Sequence, residues 1–295
     1  QIGDLAGYPV NQSGASSGVA IVTNLGLVLT KDVAKTITVK GQVKTIADGA
    51  VSSRSTYTSI GAGGFEAQGA TTQDKTVTAA LGQEKIIYKT KPTISMPTWT
   101  PGKLGSGVNT VFKFGVKADL NADVSWKKIQ LAVAMTGATM TAVTANPGTT
   151  GNVKIKDLAN PSSPLNIVTA FSGNAVASAT TATITGGTSG FVTIILNTAE
   201  NIVAGGQKDY EISLTFSDIS GTVGASYGRF NLNLQETDKV TASGWTGVET
   251  TTYDGIPSFI WSDNSVAAHT ENTLDWLNGR YVKGIPSSEV TVSNN

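Results

Sequence analysis

Apolar and polar residues alternate with a period of two along much of the chain. Phe112, Phe114, Val116 and Ala118 are separated by Lys113, Gly115 and Lys117. Ile129, Leu131, Val133 and Met135 are separated by Gln130, Ala132 and Ala134. The same rhythm places Tyr210, Ile212, Leu214 and Phe216 on one side, and likewise Phe230, Leu232 and Leu234. Period two is the signature of strands that turn one face to a core and the other to water. Turn residues punctuate these runs at Asn146-Pro147-Gly148, Asn160-Pro161, Gly186-Gly187 and Gly205-Gly206. Short strands punctuated this way predict an all-β chain, built as immunoglobulin-like antiparallel β-sandwich units in tandem. Helical signal is scant. Lys31–Lys35 is too short for a helix of its own, and His269–Leu277 predicts about two turns.

Two shifts in composition divide the chain. Lys89–Gly105 carries Pro92, Pro97 and Pro101 and reads as an extended linker entering a strand. After Thr250 aromatic residues become denser, with Tyr253, Phe259, Trp261, Trp276 and Tyr281. The expected regions are an N-terminal β unit over 1–90, a β-sandwich domain over 91–250 and an aromatic-rich C-terminal extension over 251–295.

Self-comparison at an offset of 173 residues gives two matches. Lys35-Thr36-Ile37-Thr38-Val39 lies over Lys208-Asp209-Tyr210-Glu211-Ile212, and Ile87-Tyr88-Lys89 lies over Ile260-Trp261-Ser262. On this repeat, residues 1–90 match only the later part of the following unit. A sandwich short of strands leaves an apolar face and open edges. Strands from a neighbouring subunit would complete it. The plainer reading is a small complete domain, or one packed on the second.

Charge narrows the function classes. Only 14% of residues are charged, and 21 basic residues balance 21 acidic ones. No basic surplus exists to neutralise phosphates, which argues against nucleic-acid binding. Neutrality also removes long-range repulsion between copies. The chain has no cysteine, so it has neither disulfides nor thiolate metal sites. No apolar run approaches a membrane span, the most compact being Phe191–Leu196. Residue 1 is Gln, and the chain reads as processed or truncated.

Candidate chemistry is sparse. His269 is the only histidine and lies in polar Ala268-His269-Thr270-Glu271, with no nucleophile elbow around any serine. Asp119-x-Asn121-x-Asp123 mimics the start of a calcium loop, but Val124 and Gln130 stand where Gly and Glu are needed. Asp254, Asp263 and Glu271 form a second loose acidic set. Calcium is therefore the one cofactor the residues hint at, and the expectation is of no cofactor. Gly61-Ala62-Gly63-Gly64 lacks the Lys of a phosphate loop and reads as a turn. Trp245, Trp261, Trp276 and Tyr281 are the candidate binding residues. They would cap the open end of a sandwich, form a subunit interface or stack on sugar rings.

Tyr88-Lys89-Thr90-Lys91-Pro92-Thr93-Ile94-Ser95 resembles a linker in large cell-surface proteins of candidate-phylum bacteria (Patescibacteria). The strand Phe112–Ala118, the stretch Asp123–Ile129, and Ile202–Gly206 leading into Lys208–Phe216 resemble the same family. The tail, Pro257–Asp263 continuing to Asp275–Gly279, is the closest likeness. The resemblance covers about residues 85–295 and implies an extracellular place at a cell surface, with no enzymatic activity.

Together these readings predict a non-enzymatic structural subunit of an extracellular surface layer or filament. Its partner is itself, through strand edges, with cell-surface glycans as further partners. The competing expectation is a monomeric adhesin or carbohydrate-binding module.

Overall fold

The computed structural model describes residues 27–36, 38, 45–52, 54–68, 73–75, 79–140, 152–173, 184, 186–234, 257–270, 273 and 275–295. The chain divides into two compact units, Gln1–Val43 and Lys44–Asn295. In the first, the described residues form neither helix nor strand, and Val28, Leu29 and Val33 are exposed. The second holds every described strand, and all strand pairs are antiparallel. The chain is thus all-β among the described residues, as the alternation predicts. No helix there is long and apolar enough to cross a membrane.

The first six strands are short: β1 (Ser55–Thr56), β2 (Ser59–Ile60), β3 (Glu66–Gln68), β4 (Gln73–Lys75), β5 (Ala80–Leu81) and β6 (Lys85–Ile86). They pair in nested order, β3 with β4, β2 with β5 and β1 with β6. Further rungs run from Gly82 N–H to the Thr58 carbonyl (2.7 Å) and from Ile87 N–H to the Arg54 carbonyl (2.9 Å). Among the described residues the six make nested two-stranded pairs, a ribbon. Its outgoing strand is interrupted by the expected turn at Gly61–Gly64, where Gly64 N–H donates to the Gly61 carbonyl at 2.8 Å. Rich in Ser, Thr and Gly, the segment has little to bury, so its backbone groups find partners in a local hairpin.

The remaining strands form two larger sheets. They are β7 (Pro92–Ser95), β8 (Gly107–Ala118), β9 (Val124–Thr136), β10 (Thr139–Met140), β11 (Val153–Asp157), β12 (Ile167–Gly173), β13 (Ser189–Ile202), β14 (Gln207–Ser217), β15 (Tyr227–Leu232), β16 (Ile260–Ser262), β17 (Trp276–Asn278) and β18 (Val290–Ser293). The five-stranded sheet runs β7-β8-β14, with β10 and β11 both on the far side of β14. The seven-stranded sheet runs β12-β13-β9-β15-β18, with β16 also beside β9 and β17 beyond it. Gly205, with φ of +72°, makes the turn that carries the chain from β13 in one sheet to β14 in the other.

One buried cluster joins both sheets. Phe112, Phe114 and Val116 of β8 and Tyr210, Ile212 and Leu214 of β14 belong to it. So do Ile129 and Leu131 of β9, Val192 and Ile194 of β13, and Phe230 of β15. Trp126 lies at its centre. Its ring is 5.9 Å from Phe114 and 5.1 Å from Tyr210, and its indole N–H donates to the Tyr210 hydroxyl at 3.2 Å. Tyr210 also donates to Glu200, which Lys208 neutralises at 2.7 Å. Burial drives the Tyr210 phenol pKa well above its ordinary value. Each such fully buried large side chain contributes about 1.5–3 kcal/mol.

The outer edges of the five-stranded sheet are covered. Ile94 of β7 donates to the Lys283 carbonyl at 2.8 Å, and Leu165 donates to Ile155 of β11 at 2.9 Å. Gly284, with φ of +93°, approaches the Ile94 carbonyl so closely that a Cβ would collide with it. Only glycine allows that contact.

Two expectations change here. The tail after 250 is an extension in sequence only, because β16, β17 and β18 all lie within the seven-stranded sheet. The described residues of His269–Leu277 are not helical: Trp276-Leu277-Asn278 is strand β17, paired with β16, and burial of Trp276 and Leu277 overrides the local helical pattern. The residues around 88 pack on the tail, with the Tyr88 ring 5.6 Å from Trp261. Where the sequence reading offered an incomplete sandwich or a small complete domain over 1–90, the described strands among residues 54–87 pair two by two as a ribbon. Of the repeat, Lys35 and Thr36 lie outside any strand, whereas Lys208–Ile212 lies in β14; Ile37 and Val39 are outside the described residues.

Candidate assembly surface

The ribbon is the part of the second unit that buries least. Tyr57 is 62% exposed and Leu81 76%. Leu81 stands opposite Ser59, and strand alternation puts Tyr57, two residues before Ser59, on the same face. Ile60, one residue on, is exposed on the other face. Among the described strands, β4, β5 and β6 pair only with β3, β2 and β1. A lone two-stranded ribbon is marginally stable in water. An open edge with exposed apolar side chains is a surface that gains from a partner.

The base of the ribbon is held firmly. Asp263 is fully buried at the end of β16. Its carboxylate accepts hydrogen bonds from the Ser52 hydroxyl, from Lys89 N–H at 3.0 Å and from Ser265 N–H at 3.2 Å. The Lys89 ammonium donates to the Asn264 carbonyl at 2.7 Å. The Tyr88 ring packs 5.6 Å from Trp261. Burial, with the charges of Tyr281 and Asp263 adding to it, pushes the Tyr88 phenol pKa above its ordinary range. Both legs of the ribbon, at Ser52 and at Lys89, are therefore clasped to one buried carboxylate of the tail.

The residues singled out from the sequence fall elsewhere. Trp245, Asp254 and Glu271 lie outside the described residues. Trp261 is 1% exposed and donates to the Asn278 carbonyl at 2.8 Å. Trp276 is 2% exposed and donates to the Thr270 carbonyl at 3.0 Å. Neither indole has a free face: both are buried with the N–H satisfied, which fits the capping alternative and not sugar stacking. Tyr281 is half-exposed, with the Arg280 guanidinium 5.9 Å from its ring.

His269 meets Asp275 through Nδ1 at 3.0 Å, and Thr273 Oγ1 reaches the same nitrogen at 3.2 Å. A catalytic triad needs acid and nucleophile on opposite ring nitrogens, and this trio crowds one. Burial by itself raises the Asp275 pKa, but the bonds from His269 and Thr273 outweigh it and hold the carboxyl at about 2. The acids of the calcium-like stretch serve turns. Asp119 accepts from Asn121 N–H at 3.1 Å, and Asp123 accepts from Ala204 N–H at 2.9 Å. Among the described residues no three His, Cys, Asp or Glu side chains are placed to hold a metal ion.

Sequence reasoning passed over two features. The ribbon carries no apolar stripe to flag it. Trp99, between Pro97 and Pro101, lines an open cleft of about 370 Å³ with Thr100, Lys103, Val108, Asn109 and Lys113. The Lys113 ammonium sits 5.3 Å from the Trp99 ring centre and 3.1 Å from Glu211. The flanking prolines were the available signal, because proline is disfavoured inside a paired strand and marks this stretch as a loop. No protein-family model matches the chain, and no curated protein matches it.

Proposed function

We propose that this chain is a non-enzymatic structural subunit of an extracellular surface assembly, a surface layer or filament, that associates with copies of itself through strand edges. The ribbon of residues 54–87 carries this reading. It is anchored at its base by Asp263, pairs among the described strands only with itself, and is exposed at Tyr57 and Leu81. Supporting it is the zero net charge, which leaves copies free to approach one another. The two larger sheets, sharing one core around Trp126, fit an immunoglobulin-like sandwich as the rigid body of the subunit. The resemblance to surface proteins of Patescibacteria agrees with a place outside the cell.

Electron microscopy of the purified chain, with light scattering across a concentration series, tests the reading. Ordered fibres or sheets, and mass rising with concentration, are the expected result. A monodisperse monomer at high concentration would overturn it.

A second reading, a monomeric adhesin or carbohydrate-binding module, is favoured by the Trp99 cleft. An indole beside Lys113 and Asn109 offers a stacking face with polar groups at its rim. On this reading the dispersed protein binds a glycan array, and Trp99→Ala abolishes the binding.

A further inference from the structure

We propose that the cleft beside Trp99 binds an acidic saccharide, with a sugar ring against the indole and a carboxylate or sulfate group at Lys103. The inference rests on the second reading above and names the class of glycan. It holds for a dispersed or an assembled chain.

The loop that walls the cleft is fixed at both ends. On one side β7 pairs with β8 from Pro92 to Ser95. On the other, Leu104 is fully buried and donates to the Ser293 carbonyl at 2.8 Å. Asn109 of β8 ties down the return of the loop. Its side chain accepts from Gly105 N–H at 2.9 Å and donates to the Gly105 carbonyl at 2.6 Å and the Gly107 carbonyl at 2.8 Å. Pro97 and Pro101 restrict the backbone on either side of Trp99. A wall held in this way loses little freedom when a ligand arrives. The cleft volume of about 370 Å³ lies within the range of small-ligand sites.

Charge selects the ligand. Lys103 and Lys113 line the cleft, and no acidic residue does. Glu211 reaches the Lys113 ammonium at 3.1 Å and holds it near the indole. Lys103 is exposed and has no ion pair among the described residues. One positive charge is therefore left over at the cleft, in a chain whose total charge is zero. An anionic group is its complement. An ammonium acts as a point charge and takes carboxylate and sulfate alike. Trp99 and the 56%-exposed Val108 add apolar surface beside that charge. A simple anion would leave this surface uncovered. A pyranose ring lays its C–H face on the indole, and its hydroxyls suit Thr100 and Thr110, which line the same cleft.

A glycan array probed with the full chain tests the inference. It carries glucuronate-containing and sulfated oligosaccharides, each beside its neutral counterpart, and calorimetric titration follows for the best binder. Acidic members are expected to bind at least about tenfold more tightly than their neutral counterparts, with the difference shrinking as salt rises. Trp99→Ala abolishes binding. Lys103→Gln, at a solvent-exposed position, lowers affinity for the acidic saccharide about tenfold and leaves the neutral one unchanged. Lys103→Arg keeps the charge and retains the preference. If acidic and neutral members bind alike, or if Lys103→Gln leaves the preference intact, the acidic class is overturned while a glycan site stands. If no saccharide binds, or if Trp99→Ala, shown folded by urea unfolding, binds like the wild type, the cleft is not a glycan site and both readings fall.

Discussion

The ribbon and the pair β8–β14 are both antiparallel ladders, yet they keep their order for different reasons. In β8 and β14, every second side chain enters the shared core, with Phe112, Phe114, Tyr210 and Ile212 fully buried. The ribbon buries almost nothing along its length, and Tyr57 and Leu81 face solvent. Hydrogen bonds are made in both. The contrast teaches that a ladder satisfies the backbone, while a buried face stabilises it, because each internal hydrogen bond largely replaces one to water. The ribbon holds its place through its clasp at Asp263.

The largest effect should come from the body. Trp126→Ala removes the aromatic group between the two sheets and leaves the Tyr210 hydroxyl without its indole donor. A loss of about 3–5 kcal/mol in denaturant unfolding is expected. A loss under ~1 kcal/mol would show that the sheets do not depend on that contact.

The clasp comes next. Asp263→Ala leaves Ser52 and the Lys89 amide without their acceptor. It should cost about 1–3 kcal/mol. Hydrogen exchange should accelerate at Lys89 and through the ribbon more than in β8 or β14. Uniform acceleration everywhere would mean that Asp263 supports the body rather than the ribbon.

Acid distinguishes the tail from the ribbon. The Asp275 carboxyl titrates at about 2 in the fold against an ordinary value of 3.8. A depressed folded pKa stabilises the fold above the ordinary value, and that contribution is lost as the pH falls from 3.8 towards 2. The contribution is up to roughly 2 kcal/mol. Asp275→Asn should flatten the profile of unfolding free energy between pH 5 and 2, which urea titrations measure. An unchanged profile sinks the assignment.

The smallest effect on stability belongs to the ribbon face. Tyr57→Ser and Leu81→Ser should each change unfolding free energy by less than about 0.5 kcal/mol, while weakening association in light scattering. A large stability loss in the dispersed chain would reveal an intramolecular partner for that face and remove the contrast drawn here.

Much of the body was legible in the sequence. The period-two runs at Phe112–Ala118, Ile129–Met135 and Tyr210–Phe216 became β8, β9 and β14 with the expected faces inward. Gly205-Gly206 was read as a turn and is one. The helix at His269–Leu277 was misread because spacing among nine residues does not separate a short helix from a polar loop entering a buried strand. Trp261 and Trp276 were identified as the notable aromatics, but composition carries no information on which side of them the protein lies. The ribbon escaped notice because its strands have no apolar face, and that face is the signal on which strand recognition depends.

The sequence by itself determined the all-β character, the alternating core faces and the electrical neutrality. These depend on local residue order and composition, which are sufficient for them. Only the tertiary structure decided that the tail completes the seven-stranded sheet and that Asp263 binds both legs of the ribbon. Each of these joins residues far apart in the chain, such as Ser52 with Asp263. Contacts of that range follow from how whole sheets pack and bury their faces, and no window of sequence contains both partners.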